Sequence, residues 1–402
     1  MFSVKIKLLL TLVLLCELTQ AGKYPCTVKS TSLLLKRHVY NFSMEILRRV
    51  SQDTNGHFVF SPLSTWLQLG TLAEGAKGRT LREIRKVTRH TAHGCFKRQL
   101  SNLLRKMNRD LVSEYRRKSM LIADELMGVK KPYVNKIRRL YGTKLFLENY
   151  DNPKKSAAEL NQILESRSNG VFNDAVYYDD FLYTSLLLAD ANYFKSLWKS
   201  PFDPRETKQA KFFTGLYTGT VNMMHQIGNF NYTYDPLINA NVLELPVADG
   251  RISFLVFLPV KGRPIKELFY NLRRTTLTSL FNMFKSEGPQ VVSVQLPRFK
   301  THTDVINLPE LIYDMDIKRI FDPKLAELGN ISDYNLHVSI MTQLAHIEVN
   351  EKGVYAKDTA NFLVRNEDTI DFVANQTFAY IIVDRTTEFI LYAGVYSTPS
   401  LF

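Results

Sequence analysis

Apolar residues recur at helical spacing through the first part of the chain. Within residues 34–50 they return every three or four positions, which predicts an amphipathic helix. Ser61 and Pro62 follow a short apolar run and are typical of an N-cap and a first helical position, so a second helix is predicted there. Residues 80–83, Thr-Leu-Arg-Glu, match a capping box and predict a third helix. Helical patterns continue to about residue 141 and again over residues 156–168.

The pattern changes to strands in the second part of the chain. Apolar or alternating runs occupy residues 186–194, 242–245, 252–258, 291–296, 338–349, 379–383 and 389–393. Helices first and strands afterwards predict an α+β fold. No linker, repeat or low-complexity tract divides the sequence, so residues 22–402 are predicted to form a single domain.

One segment near the C-terminal end has a strand-like pattern without a fixed partner. Gly353 supplies a flexible pivot. At period two, Val354, Ala356 and Ala360 fall on one face, which suits a core, while polar residues fall on the other. Asp358 is the misfit, because it falls on the face that suits burial.

The N-terminus carries the features of an export signal. Residues 1–21 contain two lysines, an apolar run over residues 8–15 and small residues near the expected cut, which predicts a signal peptide. That run is too short to cross a bilayer, and no later segment is long enough. We therefore predict a secreted, extracellular monomer without a membrane segment.

Cysteines and sequons add two expectations for an exported chain. Removal of the leader leaves Cys26 and Cys95, which we expect to form a disulfide, with two unpaired thiols as the alternative. Closing so long a loop stabilises a fold by about 4 kcal/mol in the chain-entropy model. Asn231 and Asn330 are the glycosylation candidates among the Asn-x-Ser/Thr sequons. Asn41, in a predicted helix, is expected to be occluded.

Several blocks, in order, resemble the serpin family over nearly the whole mature length. They are residues 60–64 Phe-Ser-Pro-Leu-Ser, 191–195 Ala-Asn-Tyr-Phe-Lys, 223–226 Met-Met-His-Gln, 296–300 Leu-Pro-Arg-Phe-Lys and 372–378 Phe-Val-Ala-Asn-Gln-Thr-Phe. The resemblance implies a serpin fold, with three β-sheets, about nine helices and an exposed reactive-centre loop at about residues 351–371.

The resemblance also implies a mechanism that needs no catalytic group and no cofactor. Inhibitory serpins offer the loop as bait to a serine protease, whose own serine attacks it and forms an acyl-enzyme. The cleaved loop then inserts as a strand into the main sheet and carries the protease with it. The hinge residues implied here are Glu351, Gly353, Val354, Ala356, Asp358 and Ala360.

The bait position follows from counting along the loop, and the counts disagree. Counting forward from Glu351 gives Glu367, whereas counting back from Phe378 gives Asn366. Arg365 is the basic residue beside them. If Arg365 is presented, the resemblance implies a trypsin-like target; the alternative is a solvated loop charge.

Two functions remain open because several residues depart from the inhibitory pattern. Burying the carboxylate of Asp358 without a partner costs several kcal/mol. Each increase of about 1.4 kcal/mol in the barrier slows loop insertion about tenfold. Asp190 and Asn192 replace the asparagine and the aliphatic residue expected in the central strand, which suggests relaxed constraints on sheet opening. One hypothesis is a suicide-type inhibitor of a serine endopeptidase. The alternative is a non-inhibitory serpin acting as an extracellular binding or carrier protein, or as a protease substrate.

A second departure concerns the residues that hold the main sheet closed. The resemblance assigns this shutter to Ser61 and Ser64, with Gln343 in place of the usual histidine. Gln343 can hydrogen-bond both serines, but it cannot titrate.

Charge points to a further partner. The net charge is +13, and basic residues follow one another in a predicted helix. This region resembles the helix by which some serpins bind heparin-like glycosaminoglycans, with a solvated basic face as the equal alternative. The residues concerned are Lys97, Arg98, Arg105, Lys106 and Arg109. The leader argues against nucleic acid, and the absence of hydrolase, phosphate-loop and zinc motifs predicts neither an enzyme nor a metal site.

Overall fold

A computed structural model describes residues 27–54, 56–90, 93–168, 177–181, 184–247, 250–305, 308–353 and 367–402. The predicted leader and Cys26 lie outside them. Within these residues the α-helices are α1 Val28–Asp53, α2 Pro62–Gly75, α3 Gly78–Thr88, α4 Gly94–Asp110, α5 Lys131–Tyr141, α6 Pro153–Ser168, α7 Ile265–Leu272, α8 Leu277–Glu287 and α9 Leu308–Tyr313. Together with the strands below they confirm the predicted α+β class.

The strands form two hydrogen-bonded sheets. They are β1 Phe58–Phe60, β2 Tyr115–Asp124, β3 Thr143–Glu148, β4 Leu186–Phe194, β5 Lys208–Phe213, β6 Thr218–Asp235, β7 Ala240–Val247, β8 Ile252–Pro259, β9 Pro289–Pro297, β10 Phe299–Val305, β11 Val338–Val349, β12 Ile370–Val373, β13 Phe378–Asp384 and β14 Phe389–Tyr396. The five-stranded sheet has the order β10-β11-β4-β2-β3. The nine-stranded sheet has the order β1-β14-β13-β8-β7-β6-β9-β12, with β5 also paired to β6.

The long strand β6 explains why two sheets are found where three were expected. Its first part pairs with β5 and β9, and its last part pairs with β7. Because β6 is continuous over 18 residues, it joins the two groups of strands into one hydrogen-bonded sheet.

Helix α2 lies at the centre of the core. Every one of its residues is buried, and its N-cap is Ser61 with Pro62 at the first position, as the sequence predicted. Its apolar side chains belong to the main core, together with those of α1 and the nine-stranded sheet. The opposite face of the five-stranded sheet packs against α6 through a smaller cluster that includes Leu160 and Leu187.

Two local predictions were wrong. Helix α3 begins at Gly78, because the carboxylate of Glu327 accepts the amides of Arg79 and Thr80 and replaces the predicted capping box. Residues 115–124 form strand β2 instead of continuing the helical region. This strand begins with a polar run and is fixed by pairing to β3 and β4 on its two sides, which helical spacing along the chain cannot reveal.

The described residues contain no helix long and apolar enough to cross a membrane. Among them there is also no group of three or more histidine, cysteine or acidic side chains placed to hold a metal ion.

Candidate functional site

Two parallel strands meet at the centre of the five-stranded sheet. Strand β11 pairs directly with β4, and at this junction Gln343 lies opposite Asp190. The chain leaves β11 at Val349 and turns at once. A strand returning from that turn would run antiparallel to both β11 and β4, so it could form hydrogen-bonded ladders with both if they separated. The β4–β11 junction therefore has a geometry in which an antiparallel strand could pair on both sides.

The N-terminus of α2 holds the β11 side of this junction. The side-chain oxygen of Gln343 accepts the backbone N–H of Ser61 at 2.6 Å, and its amide group donates to the Ser61 carbonyl at 2.9 Å. The same amide group donates to the hydroxyl of Thr65 at 3.0 Å. Gln343 is fully buried, so these bonds replace water and its amide is satisfied on both atoms.

The same helix end holds the β4 side. Ser64 donates its hydroxyl to the carboxylate of Asp190, which is fully buried. Arg117, on the neighbouring strand β2, donates to Asp190 at 2.6 Å and to Ser64 at 2.9 Å. Its other nitrogens donate to the Tyr141 carbonyl at 2.8 Å and to the Ser119 hydroxyl at 2.8 Å. We call Ser61, Ser64, Thr65, Asp190 and Gln343 the clasp, because one helix end binds both strands of the junction.

These contacts correct two sequence-based expectations. Gln343 bonds Ser61 and Thr65 but not Ser64, because Ser64 is bonded to Asp190 and Arg117. Asp190 is held through its Oδ2, which is ion-paired with Arg117 on β2 and accepts from Ser64 on α2, while its Oδ1 has no hydrogen-bond partner within the described residues. The sequence alone did not identify Arg117 as the partner of Asp190.

Burial and charge act in opposite directions on Asp190. Removal of the carboxylate from water raises its pKa above the ordinary value, while the positive charge of Arg117 and the Ser64 hydroxyl favour the ionised form. A carboxylate at this depth is tolerated only with such partners. The strand between β2 and β11 is therefore tied to its neighbours by charge as well as by its backbone.

Asn192 lies two residues further along the same face of β4. It is fully buried, and within the described residues neither its side-chain oxygen nor its nitrogen has a hydrogen-bond partner. Its neighbours in register are Ala345 on β11 and Arg117 on β2. An unpartnered buried amide costs roughly 1 to 3 kcal/mol, so Asn192 leaves hydrogen-bonding capacity unused beside the junction.

The turn after β11 is anchored by Trp198. The indole N–H donates to the Asn350 carbonyl at 2.7 Å, and the Trp198 backbone N–H donates to the Lys352 carbonyl at 3.4 Å. Gly353 has a φ of +77°, and a Cβ there would overlap the backbone of Leu197 and Trp198. Glycine is required at this position for both reasons.

Glu351 fixes the same turn from its other side. Its buried carboxylate accepts from the Thr207 hydroxyl at 2.8 Å and from Arg298 at 3.3 Å. Its carbonyl accepts from the Phe202 N–H at 2.8 Å. Glu351 and Gly353 thus anchor the proximal end of the predicted loop.

The distal end of the loop belongs to the other sheet. Strand β12 pairs in parallel with β9 at the edge of the nine-stranded sheet, and Glu367 is exposed just before it. The predicted loop therefore connects the end of β11 to a strand of a different sheet. The remaining predicted hinge and bait residues lie outside the described residues: Val354, Ala356, Asp358, Ala360, Arg365 and Asn366.

The predicted polyanion-binding residues all lie on α4. Arg98, Arg105 and Lys106 are exposed, while Leu100, Leu104 and Met107 of the same helix are buried. Exposed Arg109 pairs with the adjacent Asp110 at 3.1 Å. Lys97 pairs at 2.5 Å with Glu74, which is buried and also lies 3.6 Å from Lys136. Two of the five cations therefore already have carboxylate partners.

The modification candidates lie in different surroundings. Cys95 lies in the first turn of α4, and its predicted partner Cys26 lies outside the described residues. The side-chain amide of Asn231 is partly buried and donates at 2.6 Å to the buried carboxylate of Glu244. Asn330 is exposed, and its amide donates to the Ala76 carbonyl at 3.4 Å, so glycosylation of both residues stays a prediction. Asn41 is also exposed, contrary to expectation.

Comparison with known proteins agrees with this architecture. A family model described as "Serpin (serine protease inhibitor)" matches residues 37–399. Serpin B11 of Mus musculus is 26% identical over 384 residues, which cover 89% of this chain and 97% of the relative. Glia-derived nexin of Rattus norvegicus is 27% identical over 364 residues, which cover 87% and 89% respectively.

Solved structures are similar over the same length. Native protease nexin-1 with heparin matches with a TM-score of 0.81 and 25% identity, covering 92% of this chain and 100% of that chain. Human glycosylated kallistatin matches with a TM-score of 0.81 and 21% identity, covering 92% and 99%, a likeness that concerns the fold.

We predict that Asp190→Asn destabilises the protein although asparagine has the same shape. The substitution leaves the guanidinium of Arg117, whose side chain is 7% exposed, without a counter-charge. Losing one partner of a buried ion pair costs about 3 to 5 kcal/mol. Urea unfolding at neutral pH should show a lower midpoint, and adding Arg117→Leu should recover part of the loss.

Asp316→Asn is the matched control. Asp316 pairs with Lys86 at 3.1 Å, and both side chains are more than half exposed, so the same change should shift the midpoint little. Equal losses in the two variants would contradict the assigned role of the Arg117–Asp190 pair.

Proposed function

Since the chain belongs to the serpin family, we propose that it is a secreted suicide-type inhibitor of a serine endopeptidase. The observation that carries the proposal is the closed parallel junction between β4 and β11, with an anchored turn at the end of β11. Cleavage of the following loop would free its proximal part to return between the two strands. Secretion rests on the leader predicted at residues 1–21, which lie outside the described residues.

The anchored turn defines where an inserting strand would lie. Asn350 and Gly353 already form an antiparallel bridge. If that register continues, Val354 comes opposite Val349, Ala356 opposite Ile347, Asp358 opposite Ala345, and Ala360 opposite Gln343. Opposite residues in an antiparallel pair share a face, so these four side chains would enter the core.

This register gives Asp358 a polar partner. Ala345 lies opposite Asn192 in the closed sheet, so an inserted Asp358 would be placed between Ala345 and Asn192. The unpartnered amide of Asn192 can donate to the carboxylate, and Arg117 on the next strand is opposite Asn192. The two residues that depart from the family pattern would therefore compensate each other in the inserted form. This pairing supports inhibition over the non-inhibitory alternative.

Small residues elsewhere in the hinge are consistent with insertion. Ala360 would pass beside the clasp, where Gln343 and Asp190 lie opposite each other and where little space remains. Opening the sheet must lengthen the bonds of Gln343 or those of Asp190 to α2. The inserted strand then gains two ladders, each bond worth about 1 kcal/mol net.

We predict an SDS-stable complex with a trypsin-like serine protease. The purified full-length protein should be incubated with trypsin-, chymotrypsin- and elastase-like enzymes, and the cleavage site should be mapped. If Arg365 is the bait, Arg365→Ala abolishes the trypsin complex, whereas the control Glu367→Ala retains it. Clean cleavage near these residues without any complex would favour the alternative, a non-inhibitory binding protein or substrate.

We predict that Asn192→Leu impairs inhibition through Asp358. More molecules of the variant should be consumed for each protease molecule that is inactivated. The variant should also gain less thermal stability when its loop is cleaved. Asp358→Ala introduced into Asn192→Leu should restore both quantities, because the carboxylate that lacked a partner is gone. Independent, additive effects of the two substitutions would show that these residues do not meet in the inserted form.

We further propose that the exposed face of α4 binds a heparin-like glycosaminoglycan. Arg98, Arg105 and Lys106 are exposed without a carboxylate partner within the described residues, and the similar nexin-1 structure was solved with heparin. A row of cations on one exposed helix is attractive to sulfate groups of either free or matrix-bound chains. Lys97 and Arg109 contribute less, because each is already paired.

We predict that Arg98→Glu combined with Lys106→Glu lowers the salt concentration at which the protein leaves a heparin column. Screening by salt weakens such contacts, so the effect is read directly from the elution position. Lys261→Glu with Arg263→Glu, in the exposed turn after β8, makes the same change in net charge and should have a smaller effect. Equal shifts in the two double variants would indicate net charge alone.

A further inference from the structure

A cleft of about 580 Å³ opens between the C-terminal half of α4, the start of β2 and the end of α5. Its volume is within the roughly 300 to 1,000 Å³ that is usual for small-molecule sites. Apolar side chains line part of it, and these are Leu67, Leu104, Met107 and Leu140. The cleft thus has an apolar floor formed by three helices.

Basic side chains surround that floor. They are Arg105, Arg116, Arg117, Lys118, Arg138 and Arg139, and the described lining contains neither aspartate nor glutamate. Arg117 is already paired with Asp190. Arg116 and Arg139 are exposed, and within the described part of the chain neither forms an ion pair. Arg116 and Arg139 therefore lie on one concave surface without a carboxylate partner among the described residues.

A ligand that fits this cleft must have both an apolar part, to cover the apolar side chains, and a negative charge, to pair with the basic side chains. A sulfate or phosphate ion would satisfy the arginines but leave the floor uncovered. A neutral apolar molecule would cover the floor but leave the convergent positive charge unbalanced. Val112, 61% exposed beside the cleft, extends the apolar surface to the opening.

We propose that this cleft binds a small anionic amphiphile, an apolar body that carries one carboxylate, sulfate or phosphate group. The apolar body contacts Leu67, Leu104 and Met107, and the acidic group is bound by Arg116 and Arg139. The site overlaps the exposed basic residues of α4 at Arg105 alone, because Arg98 and Lys106 do not line the cleft. The proposal does not rest on protease trapping, although Arg117 both lines the cleft and pairs with Asp190 at the junction.

Isothermal titration of the full-length protein with decyl sulfate below its micelle concentration tests the proposal. We expect one saturable site, with Arg116→Glu combined with Arg139→Glu weakening binding by about tenfold or more. Arg98→Glu combined with Lys106→Glu makes the same change in net charge on α4 outside the cleft, and it should leave binding unchanged. Asn108→Trp, at an exposed position of the lining, should block the cleft without removing charge.

Two comparison ligands test whether both the charge and the apolar chain are required. Inorganic sulfate and decyl maltoside should each bind much more weakly than decyl sulfate. If inorganic sulfate binds as tightly as decyl sulfate, the site recognises charge alone. If decyl maltoside binds as tightly as decyl sulfate, the site recognises apolar chains alone. Either result overturns the proposal. It is also wrong if the cleft variants bind decyl sulfate as the unchanged protein does. Circular dichroism of each variant checks that the fold is retained.

Discussion

The structure depends on one helix end that holds two parallel strands together. The N-terminus of α2 binds β11 through Gln343 and β4 through Ser64 and Asp190. All these groups are fully buried, so no water can replace a bond that is broken. Separation of β4 from β11 therefore has a cost that is concentrated at a single place. That cost favours the closed, five-stranded sheet.

The polar side chains at this junction are connected to one another by hydrogen bonds and an ion pair. Asp190 would be unstable without Arg117, and Arg117 is in turn satisfied by Tyr141 and Ser119. The network ties β2, β4 and the end of α5 to the N-terminus of α2, which also bonds Gln343 on β11. In the proposed mechanism, opening would separate β11 with β10 from β4 with β2. The contacts of Arg117 would hold β4 and β2 together during that step.

The sequence predicted those parts of the fold that local pattern determines. The bounds of β4 and β11 and the start of α2 agree with the apolar runs and the Ser61–Pro62 cap. Strand β2 was missed, because its polar first half is defined only by neighbours on two sides. Arg117 was missed for the same reason, since it meets Asp190 across 73 positions of sequence. The partner of a buried charge depends on register, and register between distant strands has no signal in one sequence.

The choice between inhibitor and non-inhibitory serpin depends on a rate, because both have the same fold. Insertion competes with hydrolysis of the acyl-enzyme, and each 1.4 kcal/mol of added barrier slows insertion about tenfold. A carboxylate entering an apolar slot would add several kcal/mol, enough to lose that competition. Beside Asn192 and within reach of the field of Arg117, the same carboxylate enters a slot that already lacks an acceptor. In the proposed inserted form, a hydrogen bond between Asn192 and Asp358 would relieve the unpartnered amide of the closed sheet and the unpartnered carboxylate of the inserted strand together, and it would lower the barrier to insertion.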